Sequence, residues 1–528
     1  MLAKVLSAAV VGVEGRLVEV ECDVGAGHPS FDTVGLPELT VREARTRVRS
    51  AIRQAQLPFP RTHVTVNLAP ADLRKEGTCY DLPVALALLL ASGVLPPGCL
   101  DGWVVVGELS LTGAVRAVCG VLPVAEMAGR LGLRGVVCPV DNGWEAGAVP
   151  GITVHPATTL ADLVSALTLD LPPLPVAPPT DVWTPQARLC MSDVRGHAMA
   201  KRALEVAAAG GHNTVLVGTP GTGKTMLARR LPGILPPLSP TEAIEVTKVH
   251  SVAGLLSRSG GLLRDRPFRA PHHTASAAAL VGGGSLPRPG EVSLAHSGVL
   301  FLDELAEFPR QTLETLRQPL EDGSVMVTRA RQTAVFPART MLVAALNPCP
   351  CGYLGSRTKP CACSPMGLDR YRSRLSGPLL DRIDIQLQLQ NLTASMLRLS
   401  PPSDTSDEIR ARVCAARQVQ ADRYGSEATT NATVAMAALR QKSPLVPAVH
   451  DLLLRAIDAF GLSPRAHDRI WRVARTIADL GGAADIGSDH VGEALQYRHF
   501  DERVSAVQPP TRACGQAGPS ILDQPSEI

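Results

Sequence analysis

Aromatic side chains are scarce, 3% of 528 residues, and neither sign of charge dominates: 52 Lys and Arg stand against 49 Asp and Glu, a formal net charge of +3. That balance excludes a surface that holds nucleic acid by uniform positive charge, and the shortage of rings excludes extensive base stacking. Any polyanion contact has to come from a local patch, or from one patch repeated around an oligomer. Long apolar runs are missing too. The longest, DLPVALALLLASGVLPPG, is too interrupted to span a bilayer and reads as a buried helix stopped by Gly and Pro. The opening MLAKVLSAAVVGVEG carries one Lys and a short apolar run that passes into the alternating stretch GRLVEVECDV without a small-residue cleavage site. No secretory signal and no membrane partner are expected, and a cytoplasmic location follows. A disulfide framework is absent as well, since eight of the 12 cysteines stand singly, as reduced core thiols do.

What is there is a long, core-rich chain, 45% hydrophobic and 19% charged, enough for two to four packed units. Residues 1–170 mix alternating strands such as THVTVNLAP with apolar helices such as VAEMAGRLG, an α/β or α+β domain. The Pro-dense stretch 171–185, LPPLPVAPPTDVWTP, reads as an extended linker. Strand and helix signals alternate over 186–392, as in a parallel sheet with crossover helices. From 393 to 505 strand signals stop, and PAVHDLLLRAIDAFGL and IWRVARTIADLGG have helical spacing with Gly stops. Residues 506–528 are polar and Pro-rich, a disordered tail.

The run TVLVGTPGTGKTMLARRL sets a short apolar strand, a glycine-rich turn and a helix in the order a phosphate cradle needs. Gly218, Thr219, Pro220, Gly221, Thr222 and Gly223 let backbone N–H groups close on phosphate oxygens at a helix amino end. Lys224 is then placed for the β and γ phosphates of ATP, and the Thr225 hydroxyl for Mg²⁺. In HSGVLFLDELAEF an apolar strand ends in Asp303 and Glu304. Asp303 suits Mg²⁺ through water, and Glu304 suits polarisation of the attacking water. The strand TMLVAALNP ends in Asn347, positioned to sense the γ-phosphate. A cation against the developing charge is the remaining need. Arg382 in SGPLLDRIDIQL is one candidate, unless Asp381 and Asp384 hold it in a local salt bridge; Arg465 in GLSPRAHDRI is a second.

These motifs together, with LVAALNPCPCG and SPRAHDRIWRVARTIADL, resemble the magnesium-chelatase-like branch of AAA+ ATPases. RPFRAPHHTAS, DVRGHAMAKRALEVAAAGGHN and VGLPELTVREARTRVRSAI are similar to the YifB/ComM family of competence-associated proteins, and the likeness runs from residue 1 to about 505. The resemblance implies an AAA+ P-loop NTPase core, a helical carboxyl-terminal lid and a homohexamer. It also implies a DNA helicase that drives branch migration during natural transformation, with Arg382 as arginine finger and Arg465 as second sensor. VNLAPADLRKEGTCYDLPVALALL resembles the Lon-protease-like fold (ribosomal protein S5 domain 2-like), with Cys79 where the nucleophilic serine would lie. The stretch that should supply its base, GAVRAVCGVLPVAEMAG, has no lysine, so the domain is read as a fold without peptidase chemistry.

Within that frame, EDGSVMVTRARQTAVFPA reads as a hairpin with Arg329 and Arg331 near its tip, and six copies would ring a channel for single-stranded or branched DNA. SRSGGLLRDRPFRAPHH offers a second basic loop through Arg258, Arg264, Arg266 and Arg269, and its His272 and His273 position the loop more readily than they bind metal. Cys349, Cys351, Cys361 and Cys363, two Cys-x-Cys pairs, suit a closed structural Zn²⁺ site; unligated thiols and a redox switch are the other readings. Three rival functions remain: a protein-remodelling or protease-regulating ATPase, a magnesium-chelatase motor subunit, and a nucleotide-dependent scaffold, against which the Asp303-Glu304 pair counts.

Overall fold

The computed structural model describes residues 1–36, 38–175, 189–256, 261–284, 287–329, 332–356, 359–393, 398 and 403–498. Most of the expected linker, the expected tail, Arg258 and Arg331 lie outside the described residues.

The amino-terminal region forms one mixed seven-stranded sheet. Its order is Ser30–Val34, His63–Ala69, Glu14–Gly25, Leu2–Val11, Trp103–Val105, Gly135–Pro139, Thr153–Ala157. The long pair Leu2–Val11 and Glu14–Gly25 is antiparallel, and the strands from Trp103 onward add in parallel. Alternation along a strand feeds two cores. Val5 and Ala9 join the cluster under the apolar helix Asp81–Ala91, whereas Ala8 joins the cluster under Val121–Arg130.

The second sheet has five parallel strands ordered Phe268–Arg269, Val299–Leu302, Met341–Leu346, Thr214–Val217, Ile385–Gln388. Both faces are covered, which is why its strands read as unbroken apolar runs. Leu216, Phe301, Val343 and Ile385 point into a core shared with the carboxyl-terminal helices; Val215, Leu300, Leu342 and Ala344 point into the opposite core. After this sheet, the described residues from 403 to 498 are helical. The helix Ser406–Tyr424 begins with a capping box between Thr405 and Glu408, and Pro464–Leu480 begins on Ser463, whose hydroxyl accepts from the Ala466 N–H. The fold is thus an α/β chain with a parallel AAA+ type core and a helical carboxyl-terminal domain.

The two sheets are locked together. Lys248, buried on the helix Pro240–Ala253, lies 3.3 Å from Glu14 and 2.6 Å from Glu126, and Ser251 of the same helix donates to the buried Glu145 carboxylate. The turn joining the first two strands contributes Val13, which packs on the core of the five-stranded sheet. A Cβ on Gly12, whose φ is +64°, would stand 2.7 Å from the Val335 carbonyl, so only glycine lets this turn approach so closely.

Candidate nucleotide site

The site stands at the carboxyl ends of three adjacent parallel strands. Val217 is in register with Leu346, and Leu302 with Ala344, so Gly218, Asp303 and Asn347 leave the sheet side by side. This is the edge at which open α/β sheets bind ligands. Gly221 and Gly223 have φ of +82° and +83°, the left-handed bends that fold the loop back to start the helix Lys224–Ala228.

Lys224 donates from Nζ to the Gly218 and Thr219 carbonyls at 2.6 and 3.1 Å and to Asn347 Oδ1 at 3.1 Å. Burial holds its pKa below the ordinary lysine value, and Asp303 and Glu304 pull against that shift. Its ammonium is therefore held by carbonyl oxygens that phosphate oxygens can replace. Thr225 Oγ1 donates to Asp303 Oδ2 at 2.8 Å, which gives a divalent cation a hydroxyl and a carboxylate at one point. The chemistry of this donor set fits Mg²⁺ beside a triphosphate.

Glu304 is left-handed, with φ +53°, and its N–H donates to Asp303 Oδ1 at 3.0 Å. Such a conformation in a residue with a Cβ costs of order 1–3 kcal/mol and persists only where neighbours fix it. One neighbour was visible in the sequence, but its contact with Glu304 was not. His273 Nδ1 lies 3.2 Å from Glu304 Oε2, and its ring packs edge-on against Phe308 and over His272. The sequence placed the histidine pair in a loop; only the fold puts one of them on the carboxylate. Thr219 Oγ1 likewise donates to Asn391 at 2.7 Å, a partner 172 residues away.

The arginines fall elsewhere. Ile385–Gln388 pairs with Thr214–Val217 in parallel, so Asp381 and Arg382, which precede it, sit at the amino edge, about 13 Å of strand from the phosphate loop. Arg382 pairs with Glu321 and donates to the Pro378 carbonyl, so the alternative in which Asp381 and Asp384 hold it in a local salt bridge is not what the described residues show. Asp381 instead receives Arg465 at 3.1 Å. Asp384 is buried between His212 Nδ1, at 3.0 Å, and Arg469, while His212 Nε2 meets Thr476 Oγ1 at 2.8 Å. Burial alone would raise the Asp384 carboxyl, but the His212 hydrogen bond and the charges of His212, Arg469 and Arg472 hold it at about 2.

The hairpin is present as antiparallel strands Ser324–Arg329 and Gln332–Pro337, with Arg329 paired to Gln332 across the tip. The second basic loop needs correction. Arg266 pairs with Glu242 at 2.9 Å and Arg269 with Glu291 at 2.7 Å, so both brace the core and are not free to hold a polyanion; Arg264 is exposed. Among the described residues no hydrogen bond joins Cys79 to a lysine; its Sγ donates to the Glu76 carbonyl at 3.9 Å, and burial pushes its thiol up to about 12. A raised thiol pKa disfavours the thiolate that a nucleophile needs. The sulfurs of Cys349, Cys351, Cys361 and Cys363 lie within 4.8 Å of one another, directly beyond Asn347.

Compared with known families, residues 190–397 match the family described as magnesium chelatase, subunit ChlI. Residues 20–142 match subunit ChlI of Mg-chelatase, and 403–498 match the ChlI carboxyl-terminal family. Competence protein ComM of Haemophilus influenzae is 44% identical over 507 residues, covering 94% of this chain and 97% of its own. The YifB protein of Escherichia coli strain K12 is 43% identical over 513 residues, 96% of this chain and 99% of its own. The chain belongs to the YifB/ComM family of magnesium-chelatase-like proteins. A magnesium-chelatase 67 kDa subunit of Chlorobaculum tepidum is 28% identical over only 166 residues, 30% of this chain, so the likeness that spans all three regions is to the YifB/ComM family. Among the described residues no helix is long and apolar enough to cross a membrane.

Proposed function

We propose that this protein is an ATP-hydrolysing DNA motor, a cytoplasmic homohexamer that drives branch migration of recombining DNA. The observation that carries the ATPase reading is the convergence of Lys224, Thr225, Asp303 and Asn347 through direct hydrogen bonds, with Glu304 beside them. In this reading residues 218–225 bind the phosphates, and Thr225 and Asp303 hold Mg²⁺. Glu304 then takes the proton of the attacking water, and Asn347 orients that water. A structural Zn²⁺ at the four cysteines completes the cofactor set.

Hexamer formation is supported by the arginines. Arg382 and Arg465 lie at the sheet edge remote from their own phosphate loop and are linked through Asp381 and its neighbour, so each serves a nucleotide held by an adjacent subunit. DNA as the substrate is supported by near full-length likeness to competence protein ComM and by the hairpin that carries Arg329 and Arg331. Domain limits of 1–170, 186–392 and 393–505 fit this division of labour.

The test is steady-state ATPase activity with and without forked or four-way DNA. Wild type is expected to be stimulated, Arg331→Ala to lose only the stimulation, and Glu304→Gln to lose turnover about 10²–10⁴-fold. Indifference to every DNA form, with stimulation by unfolded polypeptide, would replace the DNA motor by a protein remodeller.

A further inference from the structure

The four cysteines form the one group of three or more potential metal ligands among the described residues. The Sγ separations are 3.3 Å for Cys349–Cys351, 3.5 Å for Cys351–Cys361 and 3.7 Å for Cys349–Cys361. Zn–S bonds of about 2.3 Å in a tetrahedron give sulfur edges of about 3.8 Å. A disulfide requires about 2.05 Å, and all four thiols are free. Three backbone N–H groups also aim at the sulfurs: Leu354 at Cys349 (3.3 Å), Cys351 at Cys363 (3.4 Å) and Cys363 at Cys361 (3.5 Å). Donors of this kind stabilise the thiolate form that a metal needs.

The cluster touches the nucleotide site on two sides. Gly352, with φ +82°, closes the turn of the first pair through its N–H to the Cys349 carbonyl, and a Cβ there would meet the Pro220 ring at 2.7 Å. The turn therefore lies directly on the phosphate loop. On the other side, the helix Pro365–Arg372 follows Cys363 and carries Tyr371, whose hydroxyl donates to the Asn347 carbonyl at 3.1 Å.

We propose that Cys349, Cys351, Cys361 and Cys363 hold one Zn²⁺, and that this ion sets nucleotide affinity by clamping Pro220 of the phosphate loop and Asn347 into one rigid unit. The inference rests on the ATPase reading above. Four thiolates leave the ion no open position, so it takes no part in hydrolysis; loading exchanges S–H bonds for Zn–S bonds and releases the protons to solvent. Without the ion, the turn at Gly352 is joined to the second pair by thiol hydrogen bonds and chain connectivity alone, and the wall behind Pro220 loosens.

The experiment measures zinc released from the purified full chain by a mercurial into a metal-binding dye, and separately the affinity for a fluorescent ADP. Wild type is expected to hold one zinc per chain. Cys361→Ser with Cys363→Ser should hold none and bind ADP about tenfold more weakly with unchanged circular dichroism. Gly352→Ala should keep its zinc and still lose about tenfold in affinity, because it displaces Pro220. Wild type that neither carries zinc nor takes it up at micromolar zinc chloride, or that carries iron, overturns the metal assignment. Zinc-free protein with wild-type ADP affinity overturns the clamp, as does Gly352→Ala with wild-type affinity. Should the double cysteine variant unfold, chelator-stripped wild type and Gly352→Ala decide the same question. Zinc-loaded wild type that binds no nucleotide sinks the ATPase reading, and the clamp with it, while the zinc count stands.

Discussion

Replacing Asp384 by Ala should detach the lid from the sheet. The carboxylate is 5% exposed and joins three elements: His212 before the phosphate-loop strand, the strand Ile385–Gln388, and Arg469 on the lid helix Pro464–Leu480. Removing one partner of a buried pair strands the other without water, at about 3–5 kcal/mol. The pH dependence sets a second scale. A carboxyl held at about 2, against an ordinary 3.8, is stabilised in the folded state by about 2.5 kcal/mol. The sign follows from the depressed value: the contribution is complete above about pH 4 and is lost as pH falls through about 2. Hydrogen exchange followed by mass spectrometry on peptides covering 464–480 reads the opening directly. Asp384→Ala should speed exchange there by at least a hundredfold at neutral pH, Asp384→Asn by less, and the sheet strands Thr214–Val217 and Met341–Leu346 should change far less. Lid exchange within twofold of wild type would refute the claim that this buried network fastens the lid.

Three further outcomes are expected. His273→Ala should lower kcat about ten- to a hundredfold while KM for ATP stays within twofold, since the side chain fixes Glu304 and not the phosphates; an unchanged kcat would remove His273 from the site. Arg382→Ala and Lys224→Ala should each be inactive alone, yet mixed subunits should recover hydrolysis where an intact phosphate loop meets an intact arginine; no recovery at any ratio argues against action between subunits. Among the isolated cysteines of the described residues, Cys190 should be alkylated first at pH 7, because hydrogen bonds from Ser192 and the Ser406 N–H hold its thiol at about 7, while Cys79, near 12, should stay unmodified in the folded chain; peptide mass mapping checks the order.

The parts of the site that were legible in the sequence are those built within one short segment. Gly218 to Thr225 carry their geometry in their own backbone, and Asp303, Glu304 and Asn347 announce themselves as polar residues ending apolar runs. The four cysteines fall within fifteen residues, so their convergence needed only one loop. Partners across long separations were not legible. Nothing in RPFRAPHHTAS says that His273 will meet a carboxylate 31 residues on, or that Arg266 and Arg269 will be taken up by Glu242 and Glu291. Charge in a loop is visible from sequence, but its commitment to an ion pair depends on which helix packs beside it. The same limit applies to Arg465, whose partner Asp381 lies 84 residues earlier.

The turn at Gly12 and Val13 has a consequence for how the protein can be cut. Val13 fills part of the ATPase core and Gly12 lies against the Val335 backbone of the hairpin, so the amino-terminal sheet is the floor on which that hairpin stands. Trimming the chain to its nucleotide-binding half would uncover an apolar socket and leave Lys248 without Glu14 and Glu126. A fragment that begins at residue 189 is therefore expected to be sticky and unsupported, a poor substitute for the whole, because the amino-terminal sheet serves as its chassis.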